Sequence, residues 1–134
     1  MVVQKSDTLP VRTEQDIVAV RQMVRKLAQD VKFSLVDQTK MVTAASELAR
    51  NTVIYGGGGD VLWEVIVDGV RTGLRLAFQD QGPGIPNLEL AMMDGWTSGS
   101  GLGMGLSGSK RLVNEFDIQS APGKGTRVTI TRWK

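Results

Sequence analysis

The sequence predicts an α+β fold, a two-layer α/β sandwich with a mixed, mostly antiparallel sheet, in one domain spanning residues 1–134. Three observations lead there. Apolar residues recur at helical spacing over two consecutive segments in the first half of the chain. Short apolar runs bounded by glycine-containing turns follow, and more of them close the chain. No linker or shift in composition divides the 134 residues, and that length suits one core.

Residues 8–13, TLPVRT, read as a short strand whose Pro10 suits an edge, because proline has no N–H to give a ladder. From Glu14 to Val31 the residues Ile17, Val20, Met23, Val24, Leu27 and Val31 recur at helical spacing. A second helix is expected over Leu35–Ile54, with Ser34 as its N-cap and the run Gly56–Gly59 as its stop. VLWEVIV (Val61–Val67) and LRLAF (Leu74–Phe78) read as the strands of a hairpin whose turn begins at Asp68-Gly69. The stretch from Asp80 to Gly105 is rich in glycine, and one short helix (Leu88–Met93) and a mobile loop are expected inside it. A helix over Leu106–Glu115 and strands near Asp117–Ser120 and Arg127–Arg132 complete the chain, the last two joined through Gly123-Lys124-Gly125. Helices packed on one sheet face give the two layers.

Composition narrows the chemistry. The chain has no cysteine, which excludes disulfides, thiolate zinc sites and thiol nucleophiles. It has no histidine, which excludes Ser-His-Asp catalysis, imidazole metal sites and a phosphohistidine step. Sixteen Lys and Arg against fourteen Asp and Glu leave a net charge of +2, scattered rather than blocked. That pattern reads as solvated surface and not as a nucleic-acid stripe. No apolar run reaches membrane-spanning length, and the polar start MVVQKSDTLPVRTEQD lacks the apolar core of a secretory signal. The expected location is therefore the cytoplasm, with no membrane and no nucleic acid among the partners.

Three patches carry the chemistry. Glu47-Leu48-Ala49-Arg50-Asn51 sits on the second helix, and Glu47 and Asn51, four apart, share a face. A carboxylate beside an amide oxygen suits general-base work and a hard cation such as Mg²⁺, which borrows further oxygens from phosphates and water. A solvated polar stripe would look the same. Asp80-Gln81-Gly82-Pro83-Gly84-Ile85 follows a strand directly. A carboxylate at a strand end can accept from an exocyclic amine such as adenine N6, and Gly82 and Gly84 let a ligand approach the backbone closely. A plain Gly-Pro turn is the other reading. Gly99-Ser100-Gly101-Leu102-Gly103-Met104-Gly105-Leu106 precedes a helix, and alternating glycines leave N–H groups free to wrap phosphate oxygens beside a helix N-terminus. The alternative is a flexible linker.

Order and spacing make the three together more specific than any one. In that combination the sequence closely resembles the GHKL (Bergerat-fold) family of ATPases and kinases: ELARN resembles the family's N box, DQGPGI its G1 box and GLGMGL its G2 box. Thr126, after Gly123-Lys124-Gly125, matches the threonine that supports the adenine pocket in this family. The resemblance covers nearly the whole chain from Ser34 onward, and it implies ATP and Mg²⁺ as cofactors. It also implies a role for each residue. Asp80 recognises the adenine amine, helped through water by Thr126. Gly82 and Gly84 shape the adenine wall. Asn51 holds Mg²⁺, and Glu47 is the general base. Gly101, Gly103 and Gly105 cradle phosphates, with Gly95–Ser100 as a lid. This is phosphoryl transfer by positioning and charge stabilisation.

Within the family, a free-standing module of this size without histidine resembles the bacterial anti-sigma and switch serine/threonine kinases, and most of all the stressosome-type switch kinases of sigma-B regulation. That branch implies phosphorylation of a STAS-domain antagonist or scaffold protein, and activation of a PP2C-type serine phosphatase by binding. Tyr55 stands where the anti-sigma proteins often carry histidine, which favours the switch-kinase branch. The competing expectation is an anti-sigma factor or nucleotide-gated binding module that uses ATP without essential kinase activity. Other residues read more plainly. Trp96 lies in the expected lid, against nucleotide, partner or core, and Met92, Met93 and Met104 border that loop as adaptable packing. Trp63 and Trp133 read as packing, and Arg50, Lys110 and Arg111 as outward-facing charge.

Overall fold

A computed structural model describes residues 1–85, 92 and 102–134, with residues 102–105 described through their backbone. The elements run β1 (Val2–Val11), α1 (Glu14–Asp30), α2 (Leu35–Ile54), β2 (Gly59–Asp68), β3 (Arg71–Asp80), α3 (Leu102–Arg111), β4 (Glu115–Ser120) and β5 (Thr126–Trp133). Among the described residues the strands form one five-stranded sheet in the order β1-β2-β3-β5-β4. All four ladders are antiparallel, which sharpens the expectation of a mixed, mostly antiparallel sheet. β5 lies between β3 and β4, so the connection through α3 skips a strand.

Register explains the core. Val61 faces Phe78 across the β2–β3 ladder, and Phe78 faces Val128 across β3–β5. Leu76 likewise faces Ile130. Because side chains alternate along a strand, these residues share one face, and they are buried with Val24, Met41, Ala45 and Leu48 of the helices. The same alternation puts Asp80 and Thr126 on that face at the strand ends, opposite each other. The other face is lined by residues such as Glu64 and Arg75, which pair at 2.7 Å.

Local signals set the helix limits. Thr13 caps α1 through a capping box with Asp16, and the Ser34 hydroxyl accepts from the Asp37 N–H to start α2. α2 occupies the expected span. β1 is longer than the expected strand, and Pro10 lies on this edge strand opposite Asp60. Trp133 folds over Gly73, where an added Cβ would meet its ring at 2.8 Å, and Arg71 stacks on it at 4.2 Å from the ring centroid.

One helix is displaced from its expected position. Leu106–Glu115 was the expected span, and α3 runs Leu102–Arg111. Its three glycines argue against helix on propensity, each by about 1 kcal/mol relative to alanine. Packing decides instead, because Leu106 and Ser109 are buried in the layer formed with α2. The early end also has a cause. Leu112 N–H turns back to Ser109 O, the Arg132 guanidinium binds Leu112 O at 2.9 Å, and Asn114 N–H joins Thr131 O. Arg132 also grips Asp37 of α2, so one side chain ties α2, β5 and the exit of α3 together. The expected helix Leu88–Met93 and lid Gly95–Ser100, with Trp96, lie outside the described residues, apart from Met92, which packs against the core. Among the described residues no helix is long and apolar enough to cross a membrane.

Candidate functional site

A cavity opens where α2, α3 and the ends of β3 and β5 meet. Its apolar walls are Leu48, Phe78, Ile85, Leu106 and Val128, and its polar groups come from Asn51, Thr52, Asp80 and Thr126. Tyr55, Gly56 and Gly84 complete the lining. Four residues singled out in the sequence, Asn51, Asp80, Gly84 and Thr126, thus converge from separate elements.

Asp80 ends β3 and is buried, with 9% of its surface exposed. Burial raises its carboxyl above the usual aspartate value, and N–H donation from Gly82 and Thr126 partly offsets this. The Gly82 N–H lies 2.9 Å from one carboxylate oxygen. Gly82 itself does not line the cavity. It backs onto Gly56, and a Cβ there would come within 2.7 Å of Gly56 O. Gly56 in turn presses on Asp80: its added Cβ would meet the Asp80 Cγ and Oδ2 at 2.4 Å. Gly56, Asp80 and Gly82 therefore form a close-packed stack that fixes the carboxylate. Gly84 has φ of +77°, and a Cβ there would lie 2.0 Å from Ala121 O, so only glycine fits.

Behind Thr126 stands a residue that the sequence did not single out. The Ser120 hydroxyl accepts from Ile85 N–H at 2.8 Å and donates to Gly125 O at 2.9 Å. Its 2.8 Å contact with the Thr126 hydroxyl then requires Thr126 to be the donor. That leaves the lone pairs of Thr126 Oγ1 as acceptors, suited to a bridging water beside Asp80.

Asn51 lies on α2, and its buried Nδ2 has no hydrogen-bond partner among the described residues. A buried amide terminus without a partner beside a cavity invites one from outside the chain. Amide oxygen and nitrogen exchange by a flip, so the site can offer a donor to phosphate or an oxygen to a cation. Glu47, one turn earlier, is exposed and not part of the cavity lining. Arg50 is exposed as well, in line with an outward-facing arginine. Gly103 and Gly105 lie in the first turn of α3, not ahead of it, and Gly101 falls outside the described residues. The first N–H groups of a helix have no internal partner, so these glycine amides belong to an anion-receptive end.

Gly56, Ser120 and Gly125 were the members missed. Gly125 needs φ of +76° and stands against Asp80 O, where a Cβ would come within 2.2 Å. The signals were present: Gly56 heads the glycine run after the helix, and Ser120 and Gly125 flank the turn that leads to Thr126.

Comparison with known proteins gives the same picture. The family model described as histidine kinase-, DNA gyrase B-, and HSP90-like ATPase matches residues 36–134. The chain is 45% identical over 123 residues to the serine/threonine-protein kinase RsbT of Bacillus subtilis, covering 92% of each chain. It is 33% identical over 110 residues to the anti-sigma F factor of Clostridium acetobutylicum, covering 77% of this chain and 73% of the other. The crystal structure of the RsbU and RsbW domains of a Mycobacterium tuberculosis protein superposes with a TM-score of 0.64 at 18% identity, over 98% of this chain and 33% of that one. At that identity the likeness shows the fold.

Proposed function

The chain belongs to the family of histidine kinase-, DNA gyrase B- and HSP90-like ATPases, and on that premise we propose that it is an ATP-dependent protein serine/threonine kinase whose nucleotide sits in the cavity between α2 and α3. The observation that carries this reading is the meeting of a buried carboxylate, Asp80, and a buried amide nitrogen of Asn51 that has no partner among the described residues, on one apolar-walled cavity. A flat aromatic amine fits between Leu48, Phe78, Ile85 and Val128, its exocyclic N–H donating to Asp80. Thr126, oriented by Ser120, takes the hydrogen of a water that reaches the same base. The amides of Gly103 and Gly105, with Gly101 before them, receive phosphate oxygens at the start of α3.

Mg²⁺ fits the donors present. The described residues hold no group of three His, Cys, Asp or Glu for a protein-only cage, so Asn51 would supply one amide oxygen and the phosphates and water the rest. The ion would neutralise charge on the transferring phosphoryl group. The protein's own part is to align the acceptor. The Glu47 carboxylate takes the proton of a serine or threonine hydroxyl as its oxygen bonds to the γ-phosphorus, the bond to the ADP oxygen breaks, and ADP leaves.

The acceptor that fits the family branch is a STAS-domain antagonist or scaffold protein, and binding to a PP2C-type phosphatase is the second output we assign. The kinase RsbT, at 45% identity over 92% of the chain, supports the transferase reading over a pure binding module. A cytoplasmic location is part of the same proposal. Incubation of wild type with Mg-ATP and a STAS-domain protein from the same genome tests it. A phosphoserine or phosphothreonine on the acceptor, found by mass spectrometry, is the expected result. Nucleotide-dependent binding with no modified acceptor would return the chain to the binding-module class.

A further inference from the structure

The outward face of α2 has a pattern of its own. Residues 36, 40, 43, 47, 50 and 54 step by four and three alternately, so Val36, Lys40, Thr43, Glu47, Arg50 and Ile54 form one stripe along the helix. All six are exposed. Val36 and Ile54, at 61% and 53% exposure, are large aliphatic side chains at its two ends. Among the described residues neither Lys40 nor Arg50 takes part in an ion pair, although Glu47 stands three residues from Arg50. The stripe thus keeps two exposed cations, without a salt bridge among the described residues, on either side of the candidate base and apolar groups beyond them.

Glu47 belongs to this stripe and not to the cavity lining, whereas Asn51, one turn on, reaches the cavity. A hydroxyl that arrives over the outward face of α2 can meet the exposed Glu47. We infer that this stripe is the docking track for the protein that accepts the phosphate. Its occupant is a protein surface presenting the acceptor hydroxyl between carboxylates, which pair with Lys40 and Arg50, and apolar side chains that cover Val36 and Ile54. The inference rests on the kinase reading of the cavity. From Val36 to Ile54 the helix rises about 27 Å, which matches the width of a patch of about 800 Å² per partner in a standard interface. Opposite charge across the rim sets register and encounter rate and discriminates against wrong partners.

The test is calorimetric binding of a recombinant STAS-domain acceptor in the presence of a non-hydrolysable ATP analogue, with acceptor KM and kcat measured alongside. The variants are Lys40→Glu/Arg50→Glu and a charge-matched control, Lys5→Glu/Lys134→Glu, at exposed positions away from α2. The α2 pair should weaken acceptor binding about tenfold or more and raise acceptor KM in step. Nucleotide affinity and kcat at saturating acceptor should stay within about twofold, and the control should match wild type. Raising ionic strength should weaken wild-type binding and leave the α2 variant little changed. Unchanged acceptor binding in the α2 variant, an equal loss in the control, or no binding by wild type would overturn the inference. Lost nucleotide affinity in the α2 variant would overturn it too, by making Arg50 a phosphate ligand. Wild type that binds through the stripe but transfers no phosphate would instead refute the kinase reading and leave the docking surface standing.

Discussion

Replacing Gly56 with alanine should damage nucleotide binding far more than it damages the fold. The added Cβ would lie 2.4 Å from both the Cγ and Oδ2 of Asp80 and 2.7 Å from its Cβ, where real contacts essentially never fall below 3.0 Å. Asp80 is buried at the end of β3, held by N–H donors from Gly82 and Thr126, so it has little room to swing aside. To restore an ordinary contact the carboxylate must retreat by about 1 Å, which takes a 2.9 Å hydrogen bond to Gly82 beyond bonding range. A charge-assisted hydrogen bond to the adenine amine is worth about 1.5–3 kcal/mol, so Kd for ATP should rise about 10- to 150-fold. The overpacking should lower stability by about 1–3 kcal/mol. Gly57→Ala is the matched control. Its φ is +74°, so alanine there costs about 1–2 kcal/mol of backbone strain, but no atom lies within 4 Å of the added Cβ. Calorimetric titration with Mg-ATP and thermal melts separate the two effects. Wild-type ATP affinity in Gly56→Ala, or an equal loss in Gly57→Ala, would refute the reasoning.

Further outcomes follow from the same contacts. Asp80→Asn should cost about 2 kcal/mol or more of ATP affinity by titration, while the melting temperature of the nucleotide-free protein stays equal or rises. Folding raises the pKa of Asp80, so its ionised form opposes folding at neutral pH and that penalty is relieved as pH falls. Wild-type ATP affinity should accordingly fade on acidification at a higher pH than an aspartate of ordinary pKa would give. Arg132→Met should lower stability by about 1.5–3 kcal/mol in denaturant melts, since it strips partners from Asp37 and from Leu112 O. Arg132 holds the Asp37 carboxyl below its usual value of 3.8, so that stabilisation is present above 3.8 and is lost only as pH falls through the lower folded value. Gly108→Ala, with open space around the new Cβ inside α3, should raise stability by about 0.5–1 kcal/mol in the same melts.

Much of this was legible in the chain because the signals were local. The span of α2 follows from the Ser34 cap, the apolar spacing and the glycine stop. The hairpin of β2 and β3 follows from alternation around Asp68-Gly69, where Gly69 has φ of +62°. Asp80, Gly84 and Asn51 could be singled out because carboxylates, amides and glycines at strand and helix ends are conspicuous, whereas Thr126 was reached only through the family resemblance. What escaped was set by tertiary contact. α3 begins at Leu102 because packing of Leu106 and Ser109 outweighs three glycines, and it ends at Arg111 because Arg132, distant in sequence, captures Leu112 O. Gly56 and Ser120 matter through what they touch: one the Asp80 carboxylate, the other Ile85, Gly125 and Thr126. Their sequence positions mark a helix stop and a turn, but not those neighbours.

The most direct test of the kinase reading is single-turnover transfer from ATP to a STAS-domain acceptor by wild type and Glu47→Ala, with ATP affinity measured on the same samples. Glu47 is exposed and outside the cavity lining, so its loss should leave ATP binding within about twofold. Loss of a general base should cut the transfer rate by about 100- to 10,000-fold. Transfer at the wild-type rate in Glu47→Ala would contradict the mechanism at its centre.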